Sequence, residues 1–467
     1  MIVNSDVTCA DKVTGFSSRG WNRAIPSIIK PDIVAPGASI IAPVIDGVGY
    51  AIYQGTSMAS PHVAGAFALL KALHPDWSPA QAQAAIMTTA VATITIDDEG
   101  TNATPFDAGA GRINIGQAAQ AALVLDENRA SYENGDPALY WQTETTGVGI
   151  TADLNLASLG NGSCVDQCSW RRTLQNMSDS TTSWQATVDS DSELELSVSP
   201  TSFNLSPEES IELTIEANTT AVPLEDWDFG RIVLTEVDGD APDATIPVAV
   251  RHMTAKLPPS LKVTTTEQVG SKQYFKLETT NINTLTTTTF GLKAANVIQE
   301  KLDSDPTPNN IHNNDGGIYL HSIKISDNAV ALSIDLESSE SPDLDLYVGK
   351  DGSFEPVALS INADASEAIT VTFPEAGDWW IAVHNFASYR QGVLFTLRYA
   401  VITRNDPDVA NLIATTEPLN SSPFNLKLDW NLPETAAGDY WYGILQLGSS
   451  PATADDIGII PVKLVIE

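Results

Sequence analysis

The chain has 467 residues, enough for several domains of ordinary size, so no single core need account for it. Asp and Glu number 59 against 24 Lys and Arg, a net charge of -35 at pH 7, which repels nucleic acid and anionic membranes and leaves a well-hydrated surface as the plain consequence. No run of about 18 apolar residues occurs, and the stretch from Met1 to Cys9 lacks the basic and apolar regions of a signal peptide, so nothing read here inserts in a membrane or exports the chain.

Up to about residue 120 the sequence is rich in Ala, Gly, Ile and Val and alternates short apolar runs with helix-like segments, an α/β texture. Asp32 to Gly37 reads as a buried strand ended by a Pro-Gly turn, and Asp46 to Gly49 as a turn. Ser60 to Leu73 is small or apolar on every side, which predicts a buried helix that His74-Pro75 stops. A second helix is predicted from Pro79 to Ala90, with Ser78 as N-cap and Pro79 at the first helical position.

After about residue 125 Thr, Ser, Asp and Val dominate, and short alternating runs such as Leu194 to Pro200 and Ile211 to Ile215 recur between turn residues. This is the pattern of antiparallel β-sandwiches. Trp227 to Leu234 followed by Ala244 to Val250 parallels Tyr440 to Leu447 followed by Gly458 to Leu464: in each, an aromatic-Gly strand, an acidic loop and a strand containing Ile-Pro-Val. Two related sandwiches would explain the likeness, and a chance match of two hairpins is the alternative. Between them, Pro342 to Val348 and Thr370 to Val383 read as further strands. Of the three cysteines, Cys164 and Cys168 lie close together and Cys9 stands alone. The pair offers too few ligands for zinc, which leaves a small disulfide loop in an oxidising compartment or two free thiols.

The segment Gly55-Thr-Ser-Met-Ala-Ser-Pro-His-Val-Ala-Gly65 places Ser57 where a strand region gives way to a helix. There the free N–H groups and the helix dipole favour developing negative charge, so the Ser57 N–H can help to hold an oxyanion while its hydroxyl attacks, and Gly55 lets a peptide approach the backbone. A bare Gly-Thr-Ser, taken alone, reads as a helix cap rather than a nucleophile. The whole string, however, resembles the serine-site signature of the subtilase family of peptidases, and the likeness extends through Gly15-Phe-Ser-Ser-Arg-Gly20, Lys30-Pro-Asp-Ile-Val-Ala-Pro-Gly37 and Pro105-Phe-Asp-Ala-Gly-Ala-Gly-Arg-Ile-Asn114.

The resemblance implies that Ser57 is the nucleophile, that Thr56 and Met58 flank it, and that Tyr53 and Gln54 line the cleft. His62, on the nucleophile's own helix, is not the family's base and reads as a hydrogen-bonded core histidine. No His here is followed by Gly, and His74, His252, His312, His321 and His384 all lie downstream of Ser57, so the family's His-Gly-Thr-type base segment is not found, nor its acid segment. Asp32 belongs to its strand, and Asn4 lies too near Phe16 to match the oxyanion-hole Asn.

The expected fold class is therefore multidomain, a partial α/β subtilisin-like domain followed by all-β antiparallel sandwiches: residues 1–124 the C-terminal part of the peptidase domain, 125–255 a fibronectin-III-like sandwich, 256–299 and 403–467 a split sandwich, and 300–402 similar to the bacterial pre-peptidase C-terminal domain. The boundary near 124 carries the expectation that the tail folds without the peptidase part. The expected function is a secreted serine endopeptidase acting on protein or peptide substrates, incomplete and inactive in this chain by itself; the alternative is a non-catalytic extracellular binding protein carrying a relic of the serine site. The chemistry needs no cofactor, a structural calcium has no assignable ligands, and nothing in the sequence sets the oligomeric state.

Overall fold

The computed structural model of the chain describes residues 11–45, 49–145, 149–190, 192–239, 241–280, 284–307, 316–353, 355–387, 392–406, 411–418 and 422–467. Asn4, Cys9, Asp46 and His312 lie outside them. The described residues form two units, one ending at Lys256 and the other beginning at Leu257.

The first unit opens with a hairpin of β1 (Ile40–Pro43) and β2 (Tyr50–Tyr53), then α1 (Thr56–Leu73), α2 (Pro79–Thr88) and two single-turn helices, α3 (Pro105–Ala108) and α4 (Ile115–Ala118). Ser78 caps α2 as its sequence predicts: its side chain accepts from the Gln81 N–H, and the Gln81 side chain accepts from the Ser78 N–H. β3 (Leu123–Val124) follows, then the short α5 (Arg129–Asn134) and α6 (Pro137–Tyr140), and then β4 (Leu159–Cys164), β5 (Gln167–Asn176), β6 (Thr182–Asp189), β7 (Glu195–Ser199), β8 (Ser202–Leu205), β9 (Ser210–Asn218), β10 (Trp227–Glu236), β11 (Ala244–His252) and β12 (Ala255–Lys256). Strands β3 to β11 build a sandwich of two sheets, ordered β4-β11-β10-β6-β8 and β3-β5-β9-β7. Cys164 and Cys168 are joined in a disulfide with 5.5 Å between their Cα atoms.

Two expectations are corrected here, and a further observation concerns the packing at the boundary expected near residue 124. The stretch from Asp32 to Gly37 is not a buried strand: it is half-exposed and makes a single bridge, Val34 to Arg112, because no neighbouring strand lies along it among the described residues. Helix α1 is not buried all round either; Ala66 and Leu70 are buried, whereas Leu69 and Leu73 are exposed, since only one of its faces meets a packed layer. Nor does the core divide near residue 124. Leu123 and Val124 pair with Asn176 and Gln175 of β5, and one continuous apolar cluster runs from Leu70, Ile86 and Val124 to Trp170, Trp184 and Ile246. The sandwich thus shares its core with the helices before it.

In the second unit the strands are β13 (Leu261–Thr265), β14 (Val269–Thr279), β15 (Thr286–Ala294), β16 (Asn296–Leu302), β17 (Ile318–Ile325), β18 (Ala329–Glu337), β19 (Asp343–Lys350), β20 (Ala358–Ser360), β21 (Ser366–Thr372), β22 (Gly377–Ala387), β23 (Val393–Thr403), β24 (Leu412–Glu417), β25 (Phe424–Asn431), β26 (Tyr440–Gly448) and β27 (Gly458–Ile466). Sheets β16-β23-β18-β21 and β17-β22-β19-β20 face each other as one sandwich. Its buried His384 bonds Asp305 at 2.9 Å and Asp345 at 3.1 Å, tying the segment after β16 to β22 and β19. This sandwich is inserted between β15 and β24 of another, whose strands β13-β27-β26-β15 and β14-β25-β24 come from both sides of it in sequence.

The likeness between the two hairpins has a structural counterpart. In β10 and β11 Gly230 stands opposite Val248, and in β26 and β27 Gly443 stands opposite Val462, the same register on the same Ile-Pro-Val motif. Each Ile-Pro-Val strand also takes a parallel neighbour at the same place, Leu159 beside Val248 and Leu261 beside Val462. Close backbone packing requires the second glycine, since a Cβ at Gly443 would lie 2.5 Å from the Gly291 carbonyl oxygen, whereas one at Gly230 would meet the tip of the Leu196 side chain at 2.6 Å.

Candidate functional site

Ser57 is the second residue of α1 and is exposed. The helix begins at Gly55, whose φ of 147° suits a residue without a Cβ and which offers no side chain as a cap. The Met58 N–H bonds the Gly55 carbonyl at 3.0 Å, and no acidic residue stands in the first turn to oppose an anion. Pro61 has no N–H to donate to the Ser57 carbonyl, so the turn that carries the serine is held by fewer backbone bonds than an ordinary one.

The start of α1 is fixed from the other side by the hairpin. The Gly55 N–H donates to the Gly37 carbonyl at 2.8 Å, clamping the chain just after β2 to the chain just before β1. Tyr53, the last residue of β2, pairs with Ile40 and is half-exposed, and Gln54 and Thr56 are exposed beside it. The structure therefore brings Tyr53, Gln54, Gly55, Thr56, Ser57 and Met58 together as one continuous corner.

His62 is hydrogen-bonded but not buried, which corrects its reading as a core residue: its Nδ1 lies 2.8 Å from the Met58 carbonyl on the open side of α1. The other described histidines are engaged elsewhere. His74 meets the Ala119 carbonyl, His252 the Val222 carbonyl, His321 the Tyr399 hydroxyl, and His384 its two aspartates. Among the described residues no imidazole is seen bonded to the Ser57 hydroxyl.

The remaining signature segments converge behind this corner. Arg19 forms an ion pair with Asp107, and the Gly20 N–H donates to the Phe106 carbonyl at 2.9 Å. Burial pushes the Asp107 carboxyl up, but hydrogen bonds from Thr104 and the Arg19 guanidinium outweigh it and hold the group below the usual aspartate range. Val34 exchanges backbone bonds with the chain at Gly111 and Ile113, at 2.9 and 3.0 Å. Gly109, at φ 62°, lets that turn close on the Pro31 and Asp32 carbonyls, where a Cβ would come within 2.3 Å. Gly37 was readable in the sequence as a turn residue; the bond it accepts from Gly55 at the base of the hairpin was not, because it joins backbone atoms that carry no sequence signal.

The exposed serine thus stands at a helix start without a side-chain cap, in a segment of one hairpin and helices that runs into a β-sandwich. Residues 2–111 match the subtilase family and residues 153–250 the fibronectin type-III domain. That likeness to the subtilase family is confined to about the first quarter of the chain. It is 34% identical over 266 residues to subtilisin-like protease SBT3.15 of Arabidopsis thaliana, an alignment covering 51% of this chain and 35% of that protein. To subtilisin-like protease SBT1.6 of the same plant it is 42% identical over 141 residues, 26% of this chain and 18% of that one. The chain thus spans about a third of the length of the first of these curated relatives.

Proposed function

We propose that this chain is the serine-bearing part of a secreted endopeptidase that cleaves peptide bonds of proteins through an acyl-enzyme on Ser57. The observation that supports this best is the position of Ser57, exposed at the second residue of α1, where unpaired backbone N–H groups can receive an oxyanion. Attack needs a base to take the hydroxyl proton, and the histidines described here hold other partners. In this reading the base and its orienting acid come from outside the described residues, which by themselves leave Ser57 unactivated. Residues 300–402 serve in this reading as an accessory module of the pre-peptidase C-terminal kind.

A fluorophosphonate probe tests this directly. The chain by itself is expected neither to label at Ser57 nor to cleave casein, whereas the chain joined to an N-terminal segment carrying the family's Asp and His is expected to do both. Labelling of the isolated chain would reveal a base within it. A joined protein that stays unlabelled would overturn the peptidase reading in favour of a binding protein.

A further inference from the structure

The strands on either side of the insertion in the second unit retrace the first sandwich. Sheet β13-β27-β26-β15 has the order of β4-β11-β10-β6, and β14-β25-β24 that of β5-β9-β7, with the strands taken up in the same chain order and β8 alone lacking a counterpart among these. The inserted sandwich therefore stands where the first copy has its short connection from Asp189 to Glu195. Two copies of one fold make corresponding surfaces comparable.

In the first copy the outer face of the Ile-Pro-Val hairpin seats another layer. Trp227 and Phe229, three and one residues before Gly230, pack on Phe106, and Ala249, just after the motif, is buried with Phe106 and Ile29. By the register on Gly443, the corresponding residues of the second copy are Tyr440, Tyr442 and Lys463, and all three hold the inserted sandwich. The Tyr442 hydroxyl donates to the Asp335 carboxylate at 2.6 Å, and Lys463 pairs with the same carboxylate. Tyr440 donates to Glu337 at 3.4 Å and lies under the guanidinium of Arg398, which itself bonds Glu337 at 2.7 Å. Burial, with Asp335 beside it, pushes the Tyr442 hydroxyl up, so it stays a proton donor. Next to these bonds, Tyr442 and Ile444 of the host share an apolar cluster with Val330, Ala331 and Ile402 of the insert.

The chain connections add to the seat. A single residue, Ala295, separates β15 from β16, and its N–H donates to the Tyr440 carbonyl at 2.8 Å. After β23, Asp406 accepts from the Thr403 N–H at 2.8 Å and pairs with Lys293 of β15 at 2.9 Å. Modules joined only by linkers move freely, whereas modules that share apolar surface and partly buried ion pairs do not.

We infer that the outer face of the β26–β27 hairpin is a seat that fixes the inserted sandwich in one orientation on its host, so that the two move as one rigid body. Ser57 and its chemistry play no part in it.

Spin labels at Leu320→Cys on β17 and Ile413→Cys on β24, both exposed positions, report the separation of insert and host in the full chain by double electron-electron resonance. Cys9→Ser leaves no other free thiol, since Cys164 and Cys168 are joined. With the seat intact, one narrow distance distribution is expected. Asp335→Asn with Tyr442→Phe, which keeps the side-chain volumes but withdraws the charge and the hydroxyl, is expected to replace it by a broad one. Lys350→Met breaks the Lys350 to Glu375 ion pair at the other sheet of the insert and should leave the distribution narrow. Because the double variant could unfold, circular dichroism accompanies it, and Arg398→Met, which frees Glu337 and uncovers Tyr440 while keeping the apolar contact, is measured beside it. A broad distribution with the seat intact would overturn the proposal. So would a distribution that stays narrow in both seat variants, since the chain connections would then suffice, or equal broadening by Lys350→Met, since the loosening would then be general.

Discussion

Arg172 lies on β5 with its side chain wholly inside the first unit, where it donates to the carbonyls of Ala152, Leu156 and Ser158 at 2.8 to 3.0 Å. Burial pushes its guanidinium down to about 10, against the pull of Asp153 and Glu127. The group remains charged at neutral pH and staples residues 152–158 to the sheet. Arg172→Met keeps the stem but leaves those carbonyls without a donor, and is expected to cost about 2–3 kcal/mol in urea unfolding; an unchanged midpoint would mean that other donors replace it. Asp107 gives a pH-dependent case. Its folded value lies below its unfolded one, so its stabilisation is complete above the ordinary aspartate range and is lost as pH falls through the folded value. The gap in thermal midpoint between wild type and Asp107→Asn should accordingly be widest near neutral pH and close as the pH falls below the ordinary aspartate range. A gap that stays constant would show that the carboxylate's charge is not what Arg19 and Thr104 hold.

Helix α2 is the element whose start the sequence fixes most fully. Ser78, Pro79 and Gln81 supply cap, first position and capping box within four residues, all of them local chemistry. Ser78→Ala should cost about 1 kcal/mol, read as a lower thermal midpoint of the first unit, and more if the hydroxyl's 2.5 Å bond to Asp126 matters as well. Hairpin β26–β27 was equally legible, because Gly443 and Ile-Pro-Val repeat a pattern already present at Gly230. Helix α1 and the stretch from Asp32 to Gly37 were misread for a common reason. An apolar sequence states what an element could bury, whereas burial depends on a second layer, and for Leu69, Leu73 and Ile33 that layer is not among the described residues. At the candidate site, the serine corner could be read from its string of residues. The bond from Gly55 to Gly37 that fixes it could not, since backbone atoms carry no sequence signal.

At the scale of the first unit, the sandwich and the helices before it share one packed core. Beyond the shared cluster around Ile86, Val124 and Trp170, a second contact joins them: Trp227 lies 6.0 Å from Trp21 and 4.8 Å from Phe106, and Phe106 meets Phe229 edge-on at 5.2 Å. Gly160 and Gly162 of β4 lie against Ser27 and Pro26, with no room for a Cβ at either position. Texture changes near residue 124, from Ala-rich to Thr-rich, but the packing does not. A protein of residues 125–256 would lose β3 from its sheet and expose the apolar surface that α2 and Phe106 cover. At roughly 25 cal/mol per Å² of apolar area, withdrawing even 100 Å², an order-of-magnitude estimate, removes about 2.5 kcal/mol, which for a domain of this size lowers the melting temperature by roughly 10 °C or more. Residues 11–256 and residues 125–256, melted side by side, should differ by at least that much, with the shorter protein binding a hydrophobic dye before it melts. Equal, cooperative transitions would show that the sandwich's two sheets suffice and that the shared core is contact without consequence.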